Sequence, residues 1–232
     1  MGVVAEWAAV RGLVLFATVN SHGSGQRVVP PGGTQGRIST NPICVGAPTP
    51  MDPLVLDFST SACAEGKVRV AFQKGELVPP GWILNCAGEP TTSPADLYTD
   101  PPGSILPFGG PHAYKGFGLG LMMDALAGGL SGGDCTRPDR PMLGRGNAVV
   151  FVLWDVEAFV GREHFLQSVG GLADYVRDTP RAVGVDDIVL PGDPERHTRG
   201  ARQKDGIPIP DGTWSLLKSL AAELGVEVPN VR

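Results

Sequence analysis

The chain has no long run of one charge sign: 19 basic residues face 24 acidic ones, for a net charge of −5. A basic surface that tracks phosphates is therefore not expected, and nucleic acid is a poor partner. No stretch long enough to span a bilayer is free of a charge or of a glycine or proline break, so no membrane association is expected. The opening MGVVAEWAAV lacks a basic n-region and a cleavage pattern, so no secretory leader is expected. There is no CxxC and no histidine pair at metal spacing, which excludes the common zinc and redox frameworks. Cys44, Cys63, Cys86 and Cys135 are far apart and read as reduced, mostly buried thiols of a cytoplasmic protein, with no metal.

What the chain does have is glycine and proline, 33 and 22 of its 232 residues. Without a collagen-like period, they imply many tight turns and close backbone approaches. At 42% hydrophobic, the chain is long and apolar enough for one large domain or two small ones.

Val3, Val4, Trp7, Ala8 and Arg11 fall on helical spacing and end at Gly12, with no Ser, Thr or Asp cap in front. The runs 13–19, 43–47 and 54–58 read as strands, and 62–72 as a helix with Ala62, Val68, Ala71 and Phe72 on its apolar face. Residues 78–110 are dense in turns and carry little regular signal. The strongest helix is 115–130, apolar on most of its circumference and so read as buried, with Gly116, Gly118 and Gly120 implying close packing. NAVVFVLW (147–154) reads as a continuous buried strand. Phe165, Leu166, Val169, Leu172 and Val176 mark an amphipathic helix stopped by Pro180. Trp214, Leu217, Leu220, Ala221 and Leu224 mark another, ended by Gly225. The expected class is α/β: a sheet-containing region over 1–157, then a helical part over 158–232.

Two tempting motifs fail on context. Gly116-Phe-Gly118-Leu-Gly120 suggests a dinucleotide loop, but the preceding Pro107-Phe108-Gly109-Gly110-Pro111 is no central strand. Gly129-Leu-Ser131-Gly-Gly133 fits a hydrolase nucleophile elbow, with Asp155 and then His164 or His197 following in order. Ser131, however, follows a helix where the elbow needs a strand. A serine hydrolase using Ser131 is a remote alternative.

Seven segments occur in one order: AEWAAVRGL (5–13), VVPPGG (28–33), STNPICVGAP (39–48), LDFSTSACAEGKVRVA (56–71), GEPTTSP (88–94), LPFGG with YKGFGLGLMMDALAGGLSG (106–132), and LPGDPE (190–195). Together they resemble the malate/L-lactate dehydrogenase-like oxidoreductases, nearest to the hydroxycarboxylate dehydrogenase branch. The resemblance implies an NAD(P)-binding domain that is not Rossmann-like, with a largely antiparallel or mixed sheet followed by C-terminal helices. It implies NAD or NADP as cofactor, and hydride transfer between the nicotinamide and C2 of a small 2-hydroxy or 2-oxo acid. The full-length form is expected to be a homodimer.

By the same resemblance, the cofactor-binding positions are Ser21, Asp57, Phe58, Ser59, Thr60, Ser61, Lys115, Asn147, Gly192, Asp193, Pro194 and Glu195. Physically, an Asp at a strand end can accept from ribose hydroxyls, and hydroxyls or turn amides can hold phosphate oxygens. Ser59 or Ser61 could equally cap the helix that follows. Lys115, one of five lysines, offers a point charge for phosphate or ribose. Gly192 to Glu195 resembles a loop closing on the cofactor, although an ordinary turn explains it as well. Ser39, Pro31 and Ser93 depart from the residues usual in the family. The family's acid/base histidine motif would fall upstream of Met1, so the expectation is an N-terminally truncated member with exposed apolar surface and poor solubility. The alternative function is a nucleotide-binding fragment without catalysis, since His22 and His112 lie in glycine-rich loops and carry no catalytic assignment.

Overall fold

The computed structural model describes residues 1–21, 25–137 and 146–228, and the chain divides into two compact units, 1–192 and 193–232. The first unit is α/β with antiparallel sheets. Strands β1 (Leu13–Asn20), β2 (Ile43–Ala47) and β3 (Leu54–Phe58) form where the apolar runs predict them. With the later strand β7 (Ala148–Asp155) they make a four-stranded sheet in the order β3-β2-β1-β7, every pairing antiparallel.

Helix α1 (Gly2–Ala9) lies on one face of this sheet. Its buried side is Ala5, Ala8 and Ala9, against Leu15, Ala17 and Cys44. The larger stripe read from the sequence points out instead, with Val3 and Trp7 exposed and the Arg11 guanidinium over the Trp7 ring. Close approach decides between the two stripes. A Cβ on Gly46 of β2 would stand 2.8 Å from Ala5, so only small residues fit between helix and strand. The missing local cap is supplied from β3, where Asp57 Oδ2 accepts from the backbone nitrogens of Gly2 (2.6 Å) and Met1 (2.9 Å).

The turn-dense stretch holds structure that the sequence reading missed. Strands β4 (Ile83–Leu84), β5 (Pro90–Thr91) and β6 (Ser104–Ile105) form a second sheet in the order β5-β4-β6. At two residues each, they are too short for alternation to register. They share a core of Val28, Ile38, Cys63, Val68, Val78, Ile83, Leu97 and Ile105 with helix α2 (Glu65–Lys74). Neither Ser59 nor Ser61 caps α2: its N-cap is Ala64, and Ser61 Oγ donates instead to the Cys63 carbonyl at 2.7 Å. Phe72, read as part of the apolar face, is exposed, and that face is carried by Val68.

Helix α3 (Ala113–Asp124) runs on into a π-helical turn, Ala125–Gly129. It is apolar around its girth yet buried along one stripe only, Gly116, Gly120, Met123, Asp124, Ala127 and Gly128. Leu121, Met122 and Leu130 stand exposed. The glycines do serve close packing: a Cβ on Gly116 would meet the Phe108 carbonyl oxygen, and one on Gly120 would come within 2.7 Å of Thr60 Oγ1.

β7 also corrects the reading from sequence. It is an edge strand, with Phe151, Leu153 and Trp154 at 47%, 46% and 40% exposure, and only its first residue, Ala148, is buried. Helix α4 (Arg162–Arg177) is amphipathic as expected, turning Phe165, Leu166 and Val169 inward around a buried Ala173, while Leu172 faces out.

The second unit contains α5 (Asp193–Asp205) and α6 (Asp211–Leu224), the latter ended by Gly225 in a left-handed conformation. α5 escaped the sequence reading because DPERHTRGARQKD has almost no apolar residue to show a period. The expected loop over Gly192 to Glu195 is therefore the entry to a helix. Gly192 turns with φ 99°, and Asp193, Pro194 and Glu195 form the first turn, where proline and acidic residues are favoured. No helix among the described residues is long and apolar enough to cross a membrane.

Candidate functional site

Strand register gathers most of the expected positions at one end of the four-stranded sheet. Phe58 of β3 pairs with Ile43 of β2, Ile43 with Thr18 of β1, and Asn20 of β1 with Ala148 of β7. One step beyond those pairs stand Ser59–Ser61, Asn41-Pro42, Ser21 and Asn147 in a row across the sheet. The second sheet's loops brace this end. The Phe108 N–H donates to the Thr60 carbonyl (3.0 Å), the Ala62 N–H donates to the Leu106 carbonyl (2.8 Å), and the Phe58 and Phe108 rings meet edge to face. Gly116 rests on Phe108, which sets Lys115 in the first turn of α3 on the same side.

The end is tied together by residues that the sequence reading passed over. Asp124 is buried and accepts four hydrogen bonds. Asn20 Nδ2 (3.0 Å) and the Thr136 N–H (2.9 Å) donate to Oδ1, and Asn41 Nδ2 (3.0 Å) and Thr136 Oγ1 (2.8 Å) donate to Oδ2. Asn41 Nδ2 also reaches the Gly120 carbonyl at 2.9 Å, and Thr60 Oγ1 donates to the carbonyls of Thr40 and Asn41. The available signal was a lone carboxylate in an otherwise apolar helix. Such a group is buried only when it is fully paired.

The expected site residues divide into groups. Ser21 and Ser39 converge on Gly25, where an added Cβ would lie 3.2 and 3.1 Å from their hydroxyl oxygens. Thr60 and Ser61 are buried and engaged in backbone hydrogen bonds, while Ser59 and Phe58 are half-buried. Lys115 is exposed, and its ammonium lies 5.9 Å from the Tyr114 ring. Asn147 is exposed at the start of β7. Asp57 stands apart: strand alternation turns it to the α1 face, opposite Phe58, and one of its oxygens is occupied by the start of α1. Gly192 follows Pro191, whose carbonyl accepts from the Val55 N–H at 2.9 Å, so the chain reaches Gly192 beside β3. Asp193, Pro194 and Glu195 belong to the second unit, where Arg196 pairs with Asp193 at 2.6 Å. His22 lies outside the described residues.

Other nucleophile candidates have no chemistry here. Ser131 ends the helical run and its Oγ accepts from the Gly133 N–H, with no strand before it. The Cys44 thiol is pushed up to about 11 by burial and then by Asp57, with the neighbouring N-terminal ammonium opposing. Burial likewise raises Cys63 to about 11, opposed by Lys67. Both stay protonated near neutral pH and pack as small apolar groups.

Residues 1–218 match the malate/L-lactate dehydrogenase family. The chain belongs to that family. It is 39% identical over 232 residues to an L-lactate dehydrogenase of Cupriavidus necator, covering 99% of this chain and 65% of that protein. It is 37% identical over 236 residues to hydroxycarboxylate dehydrogenase B of Escherichia coli K12, covering 97% and 62%. Among solved structures, malate dehydrogenase of Pyrococcus horikoshii superposes with a TM-score of 0.83 at 29% identity, covering 98% and 62%. Sulfolactate dehydrogenase of Methanocaldococcus jannaschii superposes at 0.79 and 30%, covering 97% and 63%. The chain thus spans a little under two thirds of the length of these relatives.

Proposed function

We propose that this chain carries the nicotinamide-cofactor site of a 2-hydroxy-acid dehydrogenase, acting on small 2-hydroxy or 2-oxo acids with NAD or NADP. In this reading 1–157 is the cofactor-binding domain and 158–232 the helical part of a substrate and dimerisation domain. The supporting observation is the gathering of Ser21, Ser59, Lys115 and Asn147 at one end of the sheet. The names of the relatives, lactate, malate and sulfolactate dehydrogenases among them, support the substrate class.

The donor set fits a dinucleotide. Gly25, having no side chain, lets the Ser21 and Ser39 hydroxyls close in, since a Cβ there would stand only 3.2 and 3.1 Å from them, and so brings two donors together. Lys115 makes no ion pair among the described residues and stays available for a phosphate. Phe58, half-buried against Phe108, offers an apolar surface for a flat ring. Asp57 is turned to the α1 face with Oδ2 spent on α1, so it stands outside this donor set. A bound nicotinamide would supply hydride chemistry at C2 of the 2-hydroxy or 2-oxo acid. The protein's part is to hold the dinucleotide and keep water from its reactive face. The hydroxyl proton released with the hydride needs a base, and a 2-oxo acid being reduced needs a proton donor.

The exposed β7 edge supports the homodimer reading. From Ala148 to Trp154 it carries no charge, so antiparallel pairing with a second copy about a two-fold axis brings no like charges together.

Titration of the chain with NADH and NADPH, followed by fluorescence, tests the cofactor reading. Saturable binding of one or both is expected, weakened about tenfold by Lys115→Ala as a charge-assisted contact is lost. Absence of binding by either nucleotide overturns the reading. Turnover of a 2-oxo acid would place the proton donor within these 232 residues.

A further inference from the structure

Three separate stretches of chain are hydrogen-bonded to the buried carboxylate of Asp124, and the helix that carries it holds Lys115. Asn20 precedes Ser21 at the end of β1. Asn41 follows Ser39 and Thr40, and its carbonyl accepts from Thr60 Oγ1. Asp124 itself ends α3, whose first turn holds Lys115, about 13 Å up the helix axis. Thr136 brings in the chain that leaves the π-helical turn.

We propose that Asp124 is a positioning residue for the cofactor site, acting through Asn20 and Asn41 to fix Ser21, the Asn41–Thr60 contact and Lys115 as one cradle. This inference deepens the cofactor reading and rests on it.

The chemistry of the cluster asks for a carboxylate. Four donors converge on two oxygens, and a carboxylate offers acceptors only. An asparagine in its place would set an NH2 group against two of those donors. The two asparagine side chains gain their orientation through Nδ2 alone, since the Oδ1 of each is buried without a partner among the described residues. Asn41 is also a non-glycine residue at φ 29°, a sparsely populated conformation held by its side-chain bonds to Asp124 and Gly120. A group that merely filled space would need neither the four bonds nor the strained turn. Their joint effect is to set the direction in which β1, the Ser39–Asn41 stretch and α3 leave the cluster.

The test is Asp124→Asn in the full chain, read by NADH and NADPH titration, thermal melting and a double-mutant cycle with Lys115→Ala. The expected result is binding weakened at least about tenfold with a cooperative melt retained, and a Lys115→Ala effect that shrinks from about tenfold to under about twofold in the Asp124→Asn background. Such non-additivity is what a lost cradle gives and what a general loss of stability does not. A lowered melting temperature with unchanged dissociation constants, or a Lys115 effect that stays additive, overturns the inference. Should Asp124→Asn fail to fold, Thr136→Val decides, since it removes one hydroxyl donor and keeps the side-chain shape. An increase of about threefold in the dissociation constant supports the inference, and no change overturns it. If the unaltered chain binds neither nucleotide, the cofactor reading fails and this inference with it. Normal binding by Asp124→Asn sinks the inference alone.

Discussion

At one end of the four-stranded sheet polar side chains are buried, and along its β7 edge apolar ones are bare. Asn20, Asn41 and Asp124 are almost wholly enclosed, while Phe151, Leu153 and Trp154 are close to half exposed. The two regions share strands, so the difference does not lie in backbone pairing. It lies in what packs over them: α3 approaches the sheet end through glycines, whereas among the described residues the side chains of β7 from Phe151 to Trp154 stand open. Burial of a polar cluster therefore marks where the chain invests in geometry, and apolar sequence alone does not mark where it is covered.

The comparison breaks most sharply at the glycines that admit α3. Gly116→Ala places a methyl group into the Phe108 carbonyl, which must shift together with the helix. The expected loss is about 2–3 kcal/mol of stability, after the small gain in helix propensity. Gly118 has nothing within 4 Å of an added Cβ. Gly118→Ala is expected to stabilise α3 by about 0.5–1 kcal/mol. Urea melts of the two variants check this, and equal changes of the same sign would mean that α3 is not seated as described.

Much of this was legible in the sequence. The main strands, α1, α2, α4, α6 and the terminating glycines follow from apolar runs and turn chemistry, and the ordered motifs pointed to the family. Three things were hidden. β4, β5 and β6 are too short to alternate. α5 has no apolar period because its sequence is almost entirely polar, and the Gly192–Glu195 stretch hid its first turn. α3 and β7 were read as buried because hydrophobic composition carries no information about which neighbours are present. The motifs singled out Ser21, Ser59 and Asn147, and strand register brings these three positions to one end of the sheet. Its supporting cluster was not, because the pairing of Asn20, Asn41 and Asp124 spans more than a hundred residues of chain. The turn of Asp57 to the opposite face also depends on register, which the DFSTS wording alone does not reveal.

Two buried thiols, Cys44 beneath α1 and Cys63 in the core shared by α2 and the second sheet, sharpen the contrast with the open edge. Cys44 and Cys63 have an ordinary value of 9.0 when unfolded and about 11 when folded. The folded chain therefore binds more protons than the unfolded chain between those values, and stability falls as pH rises through that window. Below pH 9 the contribution is fully present. Above about 11 it is gone, for a loss on the order of 2 kcal/mol per thiol. Melting temperatures from pH 8 to 11 should fall steeply for the unaltered chain and less steeply for Cys44→Ala with Cys63→Ala. Parallel profiles would mean that other titrations dominate.

The smallest effect on stability is expected on β7 itself. Phe151→Lys replaces a side chain that is already 47% exposed, so the stability of the isolated chain should move by less than about 1 kcal/mol. Association should respond far more. In an antiparallel pairing centred on Phe151, the substitution sets two lysines directly opposite each other across the two-fold axis, where their charges repel and need water. Sedimentation is expected to show a dimer for the unaltered chain and a monomer for Phe151→Lys, with nearly the same melting temperature at low concentration. An unaltered chain that sediments as a monomer would break the pairing argument, because an uncharged edge from Ala148 to Trp154 would then be tolerated without a second copy to cover it. A dimer indifferent to the lysine would move the interface elsewhere on the chain and leave β7 as bare in the assembly as it is in the single copy.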